Sequence, residues 1–325
     1  DVEDRSYHDT TKAHAGPETA FRHAFRAEAD RVTFGQDARR LLRIDVPGGQ
    51  FFPEPEWHYM VHRPLEAERG LDPDSDLFSP GYFQFELTGG EHALLTATMA
   101  ESDGLPDDFK RRLIDVTATE LPGDRHPLDT ALHAALQAYV VKRTPLKSVI
   151  AGYPWFLDWG RDTLIFVRGL IAAGSLDTAA RILKQFAAFE DRGTLPNMIR
   201  GEDAGNRDTS DAPLWFFTAC ADFCAAEGSL DFLKTGVGPR TIREILKDMA
   251  GAMIEGTPNG IRMDPASGLL FSPAHFTWMD TNHPAGTPRQ GYPVEIQALW
   301  WAALNFLAGG AVAAESSWGE LADHV

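Results

Sequence analysis

The sequence predicts a mainly α chain, in which paired inner and outer helices form an α/α toroid after a strand-rich first segment. Up to about residue 100 apolar residues alternate as in strands, and from residue 127 they recur every three or four positions. The second, fourth and sixth helical segments are the most apolar, as inner helices surrounded by protein would be. The segments are 127–143, 161–174, 176–190, 212–227, 239–255 and 293–308.

The first part of the chain contains strand and turn signals. Residues 41–46 read as a strand, and residues 82–87 and 92–98 flank a glycine turn that predicts a β-hairpin. Residues 101–126, rich in Asp, Gly and Pro, predict a linker with one short helix near 109–114. We therefore expect a strand-rich domain at 1–100, a linker at 101–126 and a helical domain at 127–325.

Composition limits the classes of partner and site. A formal net charge of -17 argues against nucleic acid or an anionic membrane surface and favours a neutral substrate. The sequence has neither a run of about 18 apolar residues nor a signal-peptide pattern. Cys220 and Cys224 are predicted to be buried free thiols, and scattered histidines such as His275 and His283 make a metal site a poor hypothesis. We expect neither a metal nor another cofactor.

The most informative stretch is residues 151–163, AGYPWFLDWGRDT, on a loop that leads into a helix. Sugars present apolar C–H faces and a rim of hydroxyl groups, which aromatic rings and charged hydrogen-bonding groups recognise together. The loop offers both kinds of group as candidate sugar ligands: Trp155, Asp158, Trp159, Arg161 and Asp162. The alternative is that the aromatic residues anchor the core and that Arg161 and Asp162 only begin the helix.

Long loops precede each of the apolar helices, so the candidate residues are expected at one end of the toroid. Besides the residues of the first loop, they are Asn197, Asp211, Trp278, Asp280, Arg289 and Glu295. Asp211 and Glu295 also fit a structural role, because acidic groups near a helix N-terminus are stabilised by its free N–H groups.

Asp280 is a different case, because it follows Trp278 in a loop well before the next helix. A carboxyl group that an indole partly shields from water retains a proton more readily, as a general acid requires. Hydrolysis of a glycosidic bond needs two such groups, one acid and one base or nucleophile. Spacing alone does not choose the pair, and a solvated loop carboxylate is the alternative for Asp280.

Several ordered stretches resemble the glycogen debranching enzyme family, specifically its amylo-α-1,6-glucosidase portion. The similarity covers residues 55–308 and is carried by AGYPWFLDWGRDT at 151–163, GTLPN at 193–197, TSDAPLWFF at 209–217, TWMD at 277–280 and TPRQGYPVEIQALW at 287–300. The resemblance implies an (α/α)6 toroid after a β-sandwich-like domain, and hydrolysis of α-1,6-linked glucose at glycogen branch points by an inverting mechanism in the cytoplasm.

Residue roles follow from the same resemblance. It implies that Asp280 is the general acid and that the glucose subsite is lined by Arg161, Asp162, Asp211, Trp278 and Glu295. Glycogen or another branched α-glucan would be the partner.

The chain departs from this family pattern in length. Only about half of the toroid fits before Val325, so we expect an internal fragment whose general base lies beyond that residue. Inner helices at 214–217 and 298–301 should then expose apolar faces and leave the chain inactive or poorly stable. Two alternatives stay open: another six-hairpin hydrolase, of glucoamylase or trehalase type, and a non-catalytic glycan-binding module.

Overall fold

The computed structural model describes residues 1–5, 9–37, 40–68, 70–100, 127–153, 156–281, 286–311 and 317–325. The chain divides into two units, residues 1–121 and 122–325. The predicted linker at 101–126 with its helix near 109–114 lies outside the described residues, as do Trp155 and His283. Within the described ranges, no helix is long and apolar enough to cross a membrane.

The prediction of a mainly α chain that contains about half of an (α/α)6 toroid after a β-sandwich-like domain is wrong. Helices make up 40% of the structure and strands 26%, and the strands form several small antiparallel sheets. Many of these strands are only two residues long. A strand of two residues is too short to show an alternating apolar pattern. The apolar periodicity that identified the helices therefore could not predict these strands.

The first unit combines helices and two sheets. A four-stranded antiparallel sheet has the order β1-β2-β3-β6, and β4 pairs with β5 in a separate two-stranded sheet. The elements are α1 (Ala15–Ala24), β1 (Phe25–Ala27), β2 (Arg31–Asp37), β3 (Arg40–Asp45), β4 (Gln50–His62), α2 (Pro64–Glu68), β5 (Asp74–Gln84) and β6 (Thr96–Ala100).

Aromatic side chains form the core of this first unit. The ring of Phe21 on α1 lies 5.1 Å from the rings of both Phe34 on β2 and Trp57 on β4, and 5.7 Å from that of Phe78 on β5. All four side chains are buried. Tilted and edge-on contacts of this kind stabilise a core beyond the burial of apolar area alone.

The predicted strand at 41–46 is confirmed, but the predicted hairpin between 82–87 and 92–98 is wrong. A turn does form at residues 88–91, but the strands on either side of it do not pair with each other. Tyr82 lies opposite Phe52 on β4, and Met99 on β6 lies opposite Leu42 on β3. Stacked cross-strand rings, such as Phe52 and Tyr82 at 5.4 Å, outweigh the local turn signal.

The second unit contains all six helices that the sequence predicted, joined by short strand pairs. Its helices are α3 (Pro127–Ala138), α4 (Gly160–Ala172), α5 (Leu176–Ala188), α6 (Asp211–Glu227), α7 (Ile242–Glu255), α8 (Val294–Phe306) and α9 (Ser317–His324). Its strands are β7 (Val140–Arg143), β8 (Leu146–Val149), β9 (Asp158–Trp159), β10 (Met198–Ile199), β11 (Gly236–Val237), β12 (Arg240–Thr241), β13 (Arg262–Met263) and β14 (Leu270–Phe271).

The limits of these helices have identifiable local causes. α3 ends before the predicted residue 143, because the β-branched residues Val140 and Val141 pair with Val149 and Ser148 as strands. α7 begins with a capping box, in which Thr241 and Glu244 each accept a hydrogen bond from the other's backbone N–H. α6 ends at Gly228, whose φ of 69° is the left-handed conformation that terminates many helices.

The three most apolar helices form a row, with α4 packed on α6 and α6 packed on α8. The expected exposed apolar face at 214–217 is wrong, since Leu214, Phe216 and Phe217 are fully buried in one continuous core. In α8, Trp300 is fully buried while the neighbouring Trp301 is 52% exposed. The loops that precede these three helices carry most of the candidate residues.

Candidate functional site

Arg161, the second residue of α4, lies at the centre of the candidate site. Its Nη1 is 3.3 Å from Oδ2 of Asp211 and donates to the carbonyl oxygen of Thr277 at 3.2 Å. Its Nη2 donates to Oδ2 of Asp280 at 3.4 Å. One guanidinium group therefore connects three stretches of the sequence that are far apart along the chain.

Asp211 is the first residue of α6, and its side chain is only 5% exposed. The hydroxyl group of Thr209 donates to its Oδ1 at 2.7 Å. Burial raises the pKa of the Asp211 carboxyl above its ordinary value, while the contacts with Arg161 and Thr209 oppose that shift. Asp211 thus combines the position of a helix-start acid with a buried ion pair to Arg161.

The start of α4 is fixed by a close backbone contact at Gly160. Its N–H donates to the carbonyl oxygen of Asn197 at 2.8 Å. A Cβ atom at Gly160 would lie 2.3 Å from the carbonyl oxygen of Pro196, so no larger residue fits without movement. The pairing of β9 with β10, in which Trp159 lies opposite Met198, continues this contact. Trp159 and Asn197 are thereby held side by side.

Asp280 lies on the loop between β14 and α8. Paired hydrogen bonds between the backbones of Ser272 and Gly291 close the base of the loop. The backbone N–H of His275 donates to the carbonyl oxygen of Pro288 at 2.9 Å. His275 has φ of 63° and Arg289 φ of 47°, left-handed conformations that are uncommon for such residues and that cluster at functional sites.

This loop is also tied to the start of α6. The backbone N–H of Ser210 donates to the carbonyl oxygen of Phe276 at 2.6 Å, and the hydroxyl groups of Ser272 and Ser210 lie 2.8 Å apart. Asp280 is consequently held close to Arg161 by the backbone as well as by its own side chain.

Asp280 opens into a pocket of about 300 Å³, which we call the Asp280 pocket. Its side chain is 31% exposed, in contrast with that of Asp211. The lining combines aromatic, amide and carboxylate groups, as expected of a small polar-ligand site: Trp159, Asn197, Asn206, Asp208, Ala274, His275, Phe276 and Asp280.

A second group of candidate residues surrounds Arg289. Its Nε donates to Oε1 of Glu295 at 2.7 Å, and its Nη2 donates to Oε2, so the two side chains form a bidentate ion pair. The Arg289 guanidinium carbon lies 5.8 Å from the centre of the Trp278 ring, within range of a cation–π interaction. The Trp278 side chain is 54% exposed, so its ring is available for contact with a ligand.

The remaining candidates of the first loop lie apart from Asp280. Asp158 is buried, and its Oδ2 lies 3.0 Å from Nε of Arg143, which satisfies this carboxylate within the protein. Asp162 is 45% exposed, with Oδ2 3.9 Å from Nε of Arg161. The roles of both residues toward a ligand stay predictions.

Five residues of the Asp280 pocket were not predicted as site residues: Asn206, Asp208, Ala274, His275 and Phe276. No sequence signal separates these residues from ordinary loop positions, because only the pairing of the loops brings them together.

The described part of the chain contains two cysteines and no clustered metal ligands. Among the described residues, no group of three or more His, Cys, Asp or Glu side chains is arranged to hold a metal ion. Burial raises the pKa of the Cys224 thiol to about 11, and the Cys220 thiol is buried as well. Both thiols are therefore protonated at neutral pH.

Each of the two units of the chain contains a match to a known family model. Residues 133–325 match the family model described as amylo-alpha-1,6-glucosidase, which includes Arg161, Asp211 and Asp280. Residues 1–94 match the model described as the glycogen debranching enzyme N terminal. The two matches together cover most of the sequence.

Proposed function

The chain belongs to the glycogen debranching enzyme family, and we propose that it acts on branched α-glucans such as glycogen, hydrolysing α-1,6-linked glucose at branch points. The observation that carries this proposal is the contact of Arg161 with both Asp211 and Asp280. This contact gathers the loops that carry the family resemblance around a pocket that is lined by the carboxylates of Asp208 and Asp280. A pocket of this size suits one small polar unit better than a long chain.

Asp280 would act as the general acid. In glycoside hydrolysis, a protonated carboxyl group gives its proton to the glycosidic oxygen as the bond to the anomeric carbon breaks. In the inverting case, water attacks that carbon from the opposite face of the sugar, and a second carboxylate takes a proton from the water. Asp280 suits the first role because it is open to the pocket, whereas the Asp211 carboxylate is enclosed by Thr209 and Arg161.

Arg161 and Asp211 would position the site. The Asp211 carboxylate holds Nη1 of Arg161, which leaves Nη2 directed at Asp280. A fixed guanidinium group costs no reorganisation when a sugar hydroxyl group or a developing charge approaches. Trp278, steadied by Arg289, offers an exposed ring to the apolar face of a sugar.

The test is a comparison of substrates with the full gene product. We expect glucose release from a dextrin with single α-1,6-linked glucose stubs, and much slower release from α-1,4-linked maltotriose or α,α-1,1-linked trehalose. Proton NMR during the first minutes should show β-glucose, as inversion requires. Preference for either control substrate would instead indicate a glycoside hydrolase of glucoamylase or trehalase type. Binding without any hydrolysis would indicate a glycan-binding module.

A further inference from the structure

Two neighbouring cross-strand pairs lie on one face of the β4–β5 sheet in the first unit. Phe52 lies opposite Tyr82, and Gln50 lies opposite Gln84. Side chains alternate between the two faces of a strand, so residues two positions apart share a face with each other and with their partners. We call the surface formed by these four residues the Phe52–Tyr82 face.

The two faces of this stretch differ in exposure. On the opposite face, Phe51 is buried and its ring lies 4.9 Å from that of Phe83. On the Phe52–Tyr82 face, the side chain of Tyr82 is 52% exposed, and both glutamines are exposed as well. A large exposed ring beside exposed amide groups is a candidate binding surface.

The geometry of Tyr82 is fixed by its neighbours. Its ring lies 5.4 Å from that of Phe52, and the two planes are nearly parallel, at 19°. A Cβ atom at Gly81, whose φ is 145°, would lie 2.1 Å from the carbonyl oxygen of Phe52, so only glycine allows this approach of the strands. Because the ring is already held in place, a ligand that stacks on it orders little.

The chemistry of the Phe52–Tyr82 face matches a neutral sugar. An aromatic ring contacts the C–H face of a sugar, and an amide group can both donate to and accept from its hydroxyl groups. The four residues carry no charge at neutral pH. Glu54 and Glu86 are exposed close by along the two strands, and the net charge of the chain is -17, so an anionic polymer would be repelled.

We propose that the Phe52–Tyr82 face is a glucan-binding surface, separate in sequence and in residues from the Asp280 pocket. This proposal rests on the proposed function, because it takes the ligand to be an α-glucan. Tyr82 stacks on one glucosyl ring, and Gln50 and Gln84 hydrogen-bond to hydroxyl groups. The face raises the affinity for a polymer, which presents many glucosyl units, and takes no part in glucose release.

The test uses the full chain and two probes, glycogen and maltoheptaose. Glycogen affinity is measured by the retardation of the protein in native gels that contain the polymer. Tyr82→Ala should weaken this affinity about tenfold and Gln84→Ala about threefold, whereas Tyr82→Trp, which retains a flat ring, should stay within about twofold of wild type. In the wild type, maltoheptaose should shift the ring NMR signals of Tyr82.

Matched controls are available elsewhere in the chain. Tyr59 is also an exposed tyrosine of β4, and Gln137 is an exposed glutamine on α3. Tyr59→Ala and Gln137→Ala should bind glycogen as the wild type does. Melting curves for all variants would show whether each one folds. Glucose release from a short oligosaccharide with one α-1,6-linked glucose should be unchanged in Tyr82→Ala.

The outcomes separate the two proposals. If folded Tyr82→Ala binds glycogen as tightly as wild type, or if Tyr59→Ala loses as much affinity, the glucan-binding surface is overturned while the proposed function stands. Unmoved Tyr82 signals would also overturn it, as would sedimentation showing a wild-type dimer that Tyr82→Ala dissociates, because a second copy then covers the face. If binding depends on Tyr82 but the wild type releases no glucose, the proposed function fails and the surface stands.

Discussion

Nη2 of Arg161 lies 3.4 Å from Oδ2 of Asp280, although the two residues are 119 positions apart in the sequence. The same guanidinium group contacts the buried carboxylate of Asp211 at 3.3 Å. These contacts join the first turns of α4 and α6 to the loop before α8. The properties of the site should therefore depend on Arg161 more than on any other candidate residue.

Replacing Arg161 should destabilise the chain as well as the site. Arg161→Met leaves the Asp211 carboxylate buried without its cation, which should lower the free energy of unfolding by about 2 kcal/mol. Arg181 provides the control, because its pair with Asp177 is solvent-exposed. Arg181→Met should change the free energy by less than about 0.5 kcal/mol. Urea denaturation of the two variants checks this, and equal effects would contradict it.

The pH dependence of stability should report the burial of Asp211. Burial raises its pKa in the folded chain above the ordinary value of 3.8, despite the opposing contact with Arg161. The folded state then holds this proton more tightly than the unfolded state, so the stabilisation is lost as pH rises through the raised pKa.

Asp211→Asn removes this titration and provides the measurement. Between about pH 4 and pH 7, the free energy of unfolding of the wild type should fall relative to that of the variant. Urea denaturation of both proteins across this range gives the difference. A difference that moves in the other direction would mean that the ion pair with Arg161 outweighs the cost of burial.

Two glycines of α4 should respond in opposite ways to alanine. Gly160→Ala places a methyl group against the carbonyl oxygen of Pro196, so it should cost at least about 2 kcal/mol and weaken glucan binding. A methyl group at Gly169 meets only a leucine side-chain carbon at 3.7 Å. Gly169→Ala should stabilise the chain by about 0.5–1 kcal/mol. Equal effects in thermal unfolding would contradict the close contact at Gly160.

Arg289 should influence ligand binding through Trp278. Arg289→Lys loses the two-point pair with Glu295 and the planar group beside the indole, so affinity for a branched oligosaccharide should fall about fivefold. Arg243→Lys, at a half-buried position on α7 whose side chain bonds to the carbonyl oxygen of Gly310, is the control. Calorimetry compares the two variants. Unchanged affinity in Arg289→Lys would show that Arg289 does not orient the Trp278 ring for binding.

The helices were predictable from the sequence because their signal is local. Apolar residues at helical spacing located all six, and the start of α4 falls within one residue of the prediction. The pairing of β5 with β4, and not with the segment after the turn at 88–91, depends on residues some 30 positions away. Local patterns carry no information about such distant partners.

For the candidate site, too, local features were predictable from the sequence and contacts between distant residues were not. Its residues were selected by chemical type, but the contact between Arg161 and Asp280 depends on how the loops pair. Asp158 illustrates the converse: its partner Arg143 belongs to a stretch that was predicted to be helical and forms β7.

The most direct test of the account is glucose release by Asp280→Asn in the full gene product. With a dextrin that carries single α-1,6-linked glucose stubs, the rate should fall at least about a hundredfold, because the leaving oxygen is no longer protonated. With α-glucosyl fluoride, whose leaving group needs little protonation, the rate should stay close to that of the wild type. Near-wild-type release from the dextrin would contradict the assignment of Asp280 as the general acid.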